Sequence, residues 1–235
     1  MIVDFHTHVL PGIDDGSRSV EESLEMLRAI AAQGIERVVA TPHFYPRHDD
    51  PKRFLERRKN AENRLREAME KEPGLPQLSV GAEVYFFHGI SDSEALSALT
   101  IDNKSYIMIE MLGSPWQESA YRELENIYEK QGLVPIIAHV DRYISPFKTY
   151  GIFERLAELP VLVQANASFF LNLATSHMAL RRLKNGEIHL LGSDCHNLTS
   201  RPPKLGAAVD VIQKKLGTDA LSYISDYQQQ VFEAR

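Results

Sequence analysis

A single cysteine, Cys195, stands among 235 residues. No disulfide can therefore close within the chain, and the expected setting is a reducing compartment. No apolar stretch approaches the about 18 residues that would cross a bilayer, so no membrane insertion is expected. The opening Met1-Ile2-Val3-Asp4-Phe5-His6 has neither a basic region nor a long apolar run, and does not read as a secretory signal. The expected location is cytoplasmic. Basic charge is also short: 26 Lys and Arg face 32 Asp and Glu, a formal net charge of −6. That lacks the basic excess of a nucleic-acid surface, so no nucleic acid is expected as a partner. No GxGxxG follows the first apolar run, which leaves dinucleotide binding without its phosphate loop. One cysteine cannot build a thiolate zinc site.

What is present is ordinary globular composition, 43% hydrophobic and 25% charged, read as one domain over residues 1–235. Seven short apolar runs read as strands: Ile2–Phe5, Arg37–Ala40, Leu78–Gly81, Tyr106–Ile109, Val134–Ala138, Val161–Gln164 and His189–Gly192. Amphipathic helices are expected at Ser19–Gln33, Lys52–Lys71, Gln117–Gln131, Phe147–Glu158, His177–Lys184, Lys204–Leu216 and Asp219–Phe232. The first has Val20, Leu24, Leu27 and Ala31 on one face. A capping box of Ser19 and Glu22 starts it and Gly34 stops it. Glu72-Pro73-Gly74-Leu75-Pro76 reads as a surface turn. Alternation of strand and helix implies a parallel α/β sheet, either a barrel, possible distortion included, or an open doubly wound sheet.

Polar residues fall at the C-terminal ends of those strands. His6 and His8 follow the first, His43 the second, Glu83 the third. Glu110 and His139 end the fourth and fifth, and Asp194 and His196 follow the seventh. A barrel would gather all of these on one face. Two-residue alternation puts His6 with His8, and Asp194 with His196, on common sides. Singly, each has an ordinary reading as a cap or an ion-pair partner. Jointly, buried charge at six strand ends calls for partners or metal. Mixed imidazole and carboxylate donors suit zinc, manganese or iron. The donors outnumber what one ion needs, so two or three ions are expected, the usual device for phosphoryl hydrolysis.

These residues resemble the PHP (polymerase and histidinol phosphatase) superfamily, and within it the CpsB-like branch of bacterial manganese-dependent tyrosine phosphatases. The matching stretches run from Asp4-Phe5-His6-Thr7-His8 to Asp14-Asp15-Gly16, then Ala40-Thr41-Pro42-His43 and Gly81-Ala82-Glu83-Val84-Tyr85. They continue with Ile137-Ala138-His139-Val140-Asp141-Arg142-Tyr143, Gln164-Ala165-Asn166 and Gly192-Ser193-Asp194-Cys195-His196 through Arg201-Pro202-Pro203. The resemblance implies a distorted seven-stranded (β/α)7 barrel of the PHP type with three divalent ions, manganese first and zinc or iron as alternatives. His6, His8, Glu83 and Asp194 would hold one ion; Glu83, Glu110 and His139 a second; Asp15, His43 and His196 a third. Asp14 would order its loop. Arg142 and Arg201 match the arginines that hold the substrate phosphate, a role suited to a permanently charged guanidinium fork. The implied reaction is phosphotyrosine hydrolysis by a metal-bridging hydroxide, and the implied partner a bacterial tyrosine kinase in capsule or exopolysaccharide control. Asp141 stands where the family leads us to expect Glu, and the tail from Leu221 carries no family motif.

Histidinol phosphate or another small phosphoester is the rival substrate. An amidohydrolase, a nuclease and a metal-binding scaffold without turnover are further readings. Cys195 and Arg201 have the Cys-x5-Arg spacing of cysteine-dependent phosphatases. The intervening loop has no glycine for close phosphate approach, and Cys195 alternates away from the metal residues, so a small core residue is expected there. His48, His88, His177 and His189 read as exposed or supporting residues. Trp116, Phe86 and Phe87 read as packing residues, with lining an aromatic pocket as the alternative.

Overall fold

The computed structural model describes residues 2–144 and 149–233. Nine strand segments are present among them: β1 (Val3–Thr7), β2 (Arg37–Ala40), β3 (His43–Phe44), β4 (Gln77–Val80), β5 (Glu83–Tyr85), β6 (Tyr106–Glu110), β7 (Val134–Ile137), β8 (Leu162–Asn166) and β9 (Leu190–Gly192). All pairings are parallel, in two sheets ordered β1-β2-β4 and β3-β5-β6-β7-β8-β9. The helices are α1 (Val20–Ala31), α2 (Pro51–Met69), α3 (Leu96–Leu99), α4 (Glu118–Gln131), α5 (Val140–Ile144), α6 (Ile152–Leu156), α7 (Ala167–Leu171), α8 (Ser176–Lys184), α9 (Leu205–Leu216) and α10 (Thr218–Glu233).

Each apolar run of the sequence lies on a strand, within one or two residues. The short β3 and β5 were not expected. They follow β2 and β4 in sequence, after Thr41-Pro42 and Gly81-Ala82. Pro42 has no N–H for the ladder, but its carbonyl accepts from Glu83 N at 3.0 Å, and Ala40 O accepts from Gly81 N at 2.9 Å. A parallel bridge joins Thr7 to Cys195, so β1 does not end its sheet as a bare edge.

The helix starts follow local chemistry. Ser19 caps α1, its side chain accepting from Glu22 N at 3.2 Å. The expected capping box is only half made, because the Glu22 carboxylate takes Arg18 N at 2.8 Å instead. The buried face of α1 is Ser23, Met26, Leu27 and Ile30, which keeps Leu27 of the expected Val20-Leu24-Leu27-Ala31 stripe and is rotated from the rest. Asp50 caps α2 and Pro51 opens it. The helix expected over Phe147–Glu158 is confined to α6, residues 147–148 lying outside the described ones. α3, α5 and α7 are too short to show helical periodicity.

Two apolar clusters result. The larger packs the helices on the strands; the smaller holds Val3, Phe5, Val39, Met108, Ile136 and Leu190. α10 closes onto the smaller one. Phe232 stacks on Phe5 at 5.4 Å, and Arg37 lies over the Phe232 ring at 4.2 Å. The tail without a motif is thus a structural cover. Phe5 is fully buried, and Phe5→Ala is expected to cost about 3–5 kcal/mol of stability, read as a lowered urea midpoint at unchanged slope.

Candidate metal centre

β1 carries one more residue than β2 between Asp4 and Thr7. Simple alternation would set His6 opposite Phe5. The extra residue lets Phe5 pack in the smaller cluster while His6, next in sequence, turns toward the site, which is what a bulge does to a side chain. Space for the His6 ring comes from Gly192: a Cβ there would stand 2.6 Å from His6 Cβ and 2.7 Å from Gln164 Nε2. His139 and Asp194 follow β7 and β9 with φ of 33° and 53°, a conformation rare outside glycine and common at functional sites. Both are held in it by their own N–H groups. His139 N donates to Gln164 Oε1 at 2.7 Å, and Asp194 N to His6 O at 2.8 Å.

All nine expected residues meet in one region. His6 Nε2 lies 3.1 Å from Glu83 Oε2 and 3.5 Å from Asp194 Oδ1. His8 Nε2 lies 3.4 and 3.5 Å from the same two oxygens. His139 Nε2 is 2.9 Å from Glu83 Oε1 and 3.6 Å from Glu110 Oε1. Asp15 Oδ1 is 3.4 Å from His43 Nε2 and 3.3 Å from His196 Nε2. Donors around an ion with bonds of about 2.0–2.2 Å lie about 3.0–3.6 Å apart, so this spacing suits metal. The grouping departs from expectation at two residues. His43 Nδ1 approaches Glu83 Oε2 at 3.0 Å while its Nε2 faces Asp15, so the ring stands between two of the expected sets. His8 also joins the Asp15-His43-His196 set.

The electrostatics show what the cluster lacks. Burial opposes charge on Glu83, but His6, His139 and His43 overcome it and hold the carboxylate well below its usual range. Asp194 is likewise lowered against burial by His6, His8 and Arg142. Glu110 is raised by burial and by the charge of Glu83. Against burial, contacts with Asp14, Asp194 and Glu83 push His8 well up. Among the described residues, buried Glu83 Oε2, His43 Nδ1 and His196 Nε2 have no hydrogen-bond partner. Buried polar atoms are rarely left so, and all three face other candidate ligands. The donor set therefore fits a divalent ion.

Several supporting residues had no role in the sequence reading. Gln164 Oε1 serves both His139 N and His6 Nδ1, the latter at 3.2 Å. Asn166 Nδ2 donates to Asp194 Oδ2 at 3.2 Å, and Asn166 N to Asp141 Oδ1 at 3.0 Å. Their signal was a polar pair, two residues apart, on an apolar buried strand. Asp14 orders its loop as expected. It accepts from Gly16 N and His43 N, and bonds His8 Nδ1 at 2.8 Å, leaving His8 Nε2 for the cluster. Burial opposes its charge, but His8 and those N–H groups hold it down to about 2.

Arg142 and Arg201 stand at the rim, about one-third exposed, and converge on Asp194. Arg142 donates to Oδ2, and Arg201 Nη2 to Oδ1 at 2.8 Å. With Lys204 and Ser168 they line a pocket of about 190 Å³. Cys195 is fully buried in the larger apolar cluster, and burial pushes its thiol up. That removes the thiolate reading. His48, His88 and His177 are exposed. His189 is half-buried beneath Tyr227 and accepts from Val163 N at 2.9 Å. Trp116 and Phe86 are core, and Phe86 and Phe87 both line a surface cavity.

Fold and site define a class: parallel α/β proteins with a histidine–carboxylate centre at the C-terminal ends of the strands. The model of one family, described as "Capsular polysaccharide synthesis, CpsB/CapC", matches residues 2–231. The chain belongs to the CpsB/CapC family. The tyrosine-protein phosphatase CpsB of Streptococcus pneumoniae is 29% identical over 231 residues, 92% of this chain and 91% of that protein. The putative tyrosine-protein phosphatase CapC of Staphylococcus aureus is 30% identical over 211 residues, 86% of this chain and 79% of that protein. The tyrosine-protein phosphatase YwqE of Bacillus subtilis strain 168 is 27% identical over 227 residues, 93% of this chain and 86% of that protein. A solved structure from work on YwqE and CpsB, described there as unique metal-dependent tyrosine phosphatases, has the same fold. Its TM-score is 0.87 at 24% identity, over 100% of this chain and 96% of that one.

Two outcomes are expected of the centre. Metal uptake should release protons and weaken as pH falls, beginning above the ordinary histidine value of 6.5 because His8 is raised from it; calorimetry in buffers of different ionisation enthalpy would count the protons. Gln164→Ala should weaken metal binding by about 10–100-fold, read by competition with a chelating dye.

Proposed function

We propose that this chain is a metal-dependent protein-tyrosine phosphatase. The observation that carries the reading is the pair Arg142 and Arg201, set beside five imidazoles and four carboxylates spaced for divalent ions. Its CpsB/CapC membership and the names of its relatives support it. On this reading His6, His8, Glu83 and Asp194 hold one ion, Glu83, Glu110 and His139 a second, and Asp15, His43 and His196 a third, with manganese preferred. Glu83 would belong to both of the first two sets, since its oxygens face different imidazoles. The partner is a phosphotyrosine protein, specifically a bacterial tyrosine kinase, met in the cytoplasm.

We also read residues 1–235 as one domain and the two sheets as one distorted seven-stranded barrel of the PHP type. β2 with β3, and β4 with β5, each count as one interrupted strand, and the Thr7–Cys195 bridge joins the last strand to the first.

Bound ions would stabilise charge on the phosphoryl oxygens and lower the pKa of a water. The chain's own residues do the rest. Arg142 and Arg201 present forked N–H groups to the phosphate, charged at any working pH. Asp14 fixes the His8 ring so that Nε2 faces the cluster. Gln164 fixes His6 and the His139 backbone together. Hydrolysis breaks the bond from phosphorus to the tyrosine oxygen, and water supplies the new P–O bond and the proton for the phenolate. With a pKa of about 10, that leaving group needs less proton donation than an alkoxide.

The test is hydrolysis of a phosphotyrosine peptide and of histidinol phosphate by metal-stripped protein, with manganese, zinc or nothing added. Metal-dependent turnover of the peptide is expected. Turnover of histidinol phosphate alone would keep the centre and refute the tyrosine reading. Arg142→Ala and Arg201→Ala should each cost about 10–100-fold in kcat/KM, and Cys195→Ala should stay within about twofold, since a buried thiol is inert.

A further inference from the structure

Three neighbouring strands repeat one pattern. The candidate ligands His43 and Glu83 open β3 and β5, and Glu110 closes β6. Two residues beyond each stand Tyr45, Tyr85 and Leu112. Side chains two apart on a strand share a face, which puts Tyr85 on the side of Glu83 within β5, while Tyr45 and Leu112 lie just past β3 and β6 and line the same cavity. The spatial data agree. Tyr85 pairs in register with Glu110. The Tyr45 ring lies 5.2 Å from His43 and 5.8 Å from Tyr85, centroid to centroid. With Phe87, His88 and Arg47 these residues line a cavity of about 300 Å³. It opens beside the candidate centre, past β3, β5 and β6, whereas Arg142 stands on α5 after β7 and Arg201 in the loop after β9. Tyr45 is 37% exposed, so this wall remains open to a ligand.

We propose that this aromatic cup is the specificity site of the enzyme: it takes the aryl ring whose phosphate is held at the centre, and so selects aryl over alkyl phosphate monoesters. The inference rests on the phosphatase reading and deepens it. The space suffices, because an apolar cavity of about 150 Å³ already holds a benzene ring. The chemistry suits an aryl group, since stacked or edge-on aromatic pairs gain beyond area alone. A serine or threonine phosphate would leave the cup unfilled. A methyl group would gain little there.

Phenylphosphonate and methylphosphonate carry the same anionic head and differ in the group the cup would bind. Titration calorimetry of each on the metal-loaded protein separates the two readings. Methylphosphonate reports the phosphate seat, and the phenyl-to-methyl affinity ratio reports the cup. We expect phenylphosphonate to bind about tenfold tighter or more. Leu112→Ala and, separately, Tyr45→Ala should each lower the ratio by about fivefold or more, with methylphosphonate affinity held within about twofold. Equal affinities in the native protein, or a ratio unmoved by both variants, would overturn the cup and leave the phosphatase reading standing. Binding of neither phosphonate would remove the phosphate seat and the cup with it.

Discussion

Glu83 lies buried among four imidazoles, and a carboxylate in that position needs cations on both oxygens or it takes up a proton. His139 approaches one oxygen, and His6, His8 and His43 crowd the other. Most of the other candidate ligands are placed by reference to this group. Glu110 is kept raised by it, Asp194 shares His6 and His8 with it, and His43 turns one nitrogen to it and the other to Asp15. The arrangement is stable only as a set, because removing any imidazole leaves a buried charge with less compensation.

The fold meets this demand with local departures from regularity. One extra residue in β1 re-aims His6. A glycine at 192 leaves room for its ring. Two non-glycine residues with positive φ, His139 and Asp194, are tied down by Gln164 and by the His6 carbonyl. Regular parallel strands alone would have set Phe5 and His6 on opposite faces. Strain and irregularity concentrate where chemistry needs side chains that a plain ladder would not supply. The rest of the chain is conventional, with capped helices over apolar strands and α10 sealing the far end against Phe5.

The rim is polarised across the centre. Beyond β7 and β9 stand Arg142, Arg201 and Lys204, while beyond β3, β5 and β6 stand Tyr45, Tyr85 and Leu112. One side is set by Arg142, Arg201 and Lys204, the other mainly by aromatic and apolar side chains, with Arg47 and His88 at its edge. A ligand with an anionic head on a ring matches that division on both sides. Lone arginines or lone tyrosines would be unremarkable on any surface; their separation about one cluster is what makes the rim selective.

Sequence alone located seven of the nine described strand segments, because apolar β-rich runs report burial along the chain. It also exposed eight of the nine candidate ligands, because histidines and carboxylates recurred at strand ends where a helix cap or ion pair could not account for all of them; Asp15 was implied only by the family resemblance. The thiol at 195 could be set aside by alternation, since it lies between Asp194 and His196. What periodicity could not carry was any relation between strands. The break at Pro42 that splits β2 from β3, the bulge that frees His6, the double duty of Gln164 and the placement of His43 between two sets each depend on register and curvature. So does the meeting of Tyr45, Tyr85 and Leu112, which are tens of residues apart in the chain. A pattern along one strand says which way a side chain points, but only neighbouring strands decide what it meets.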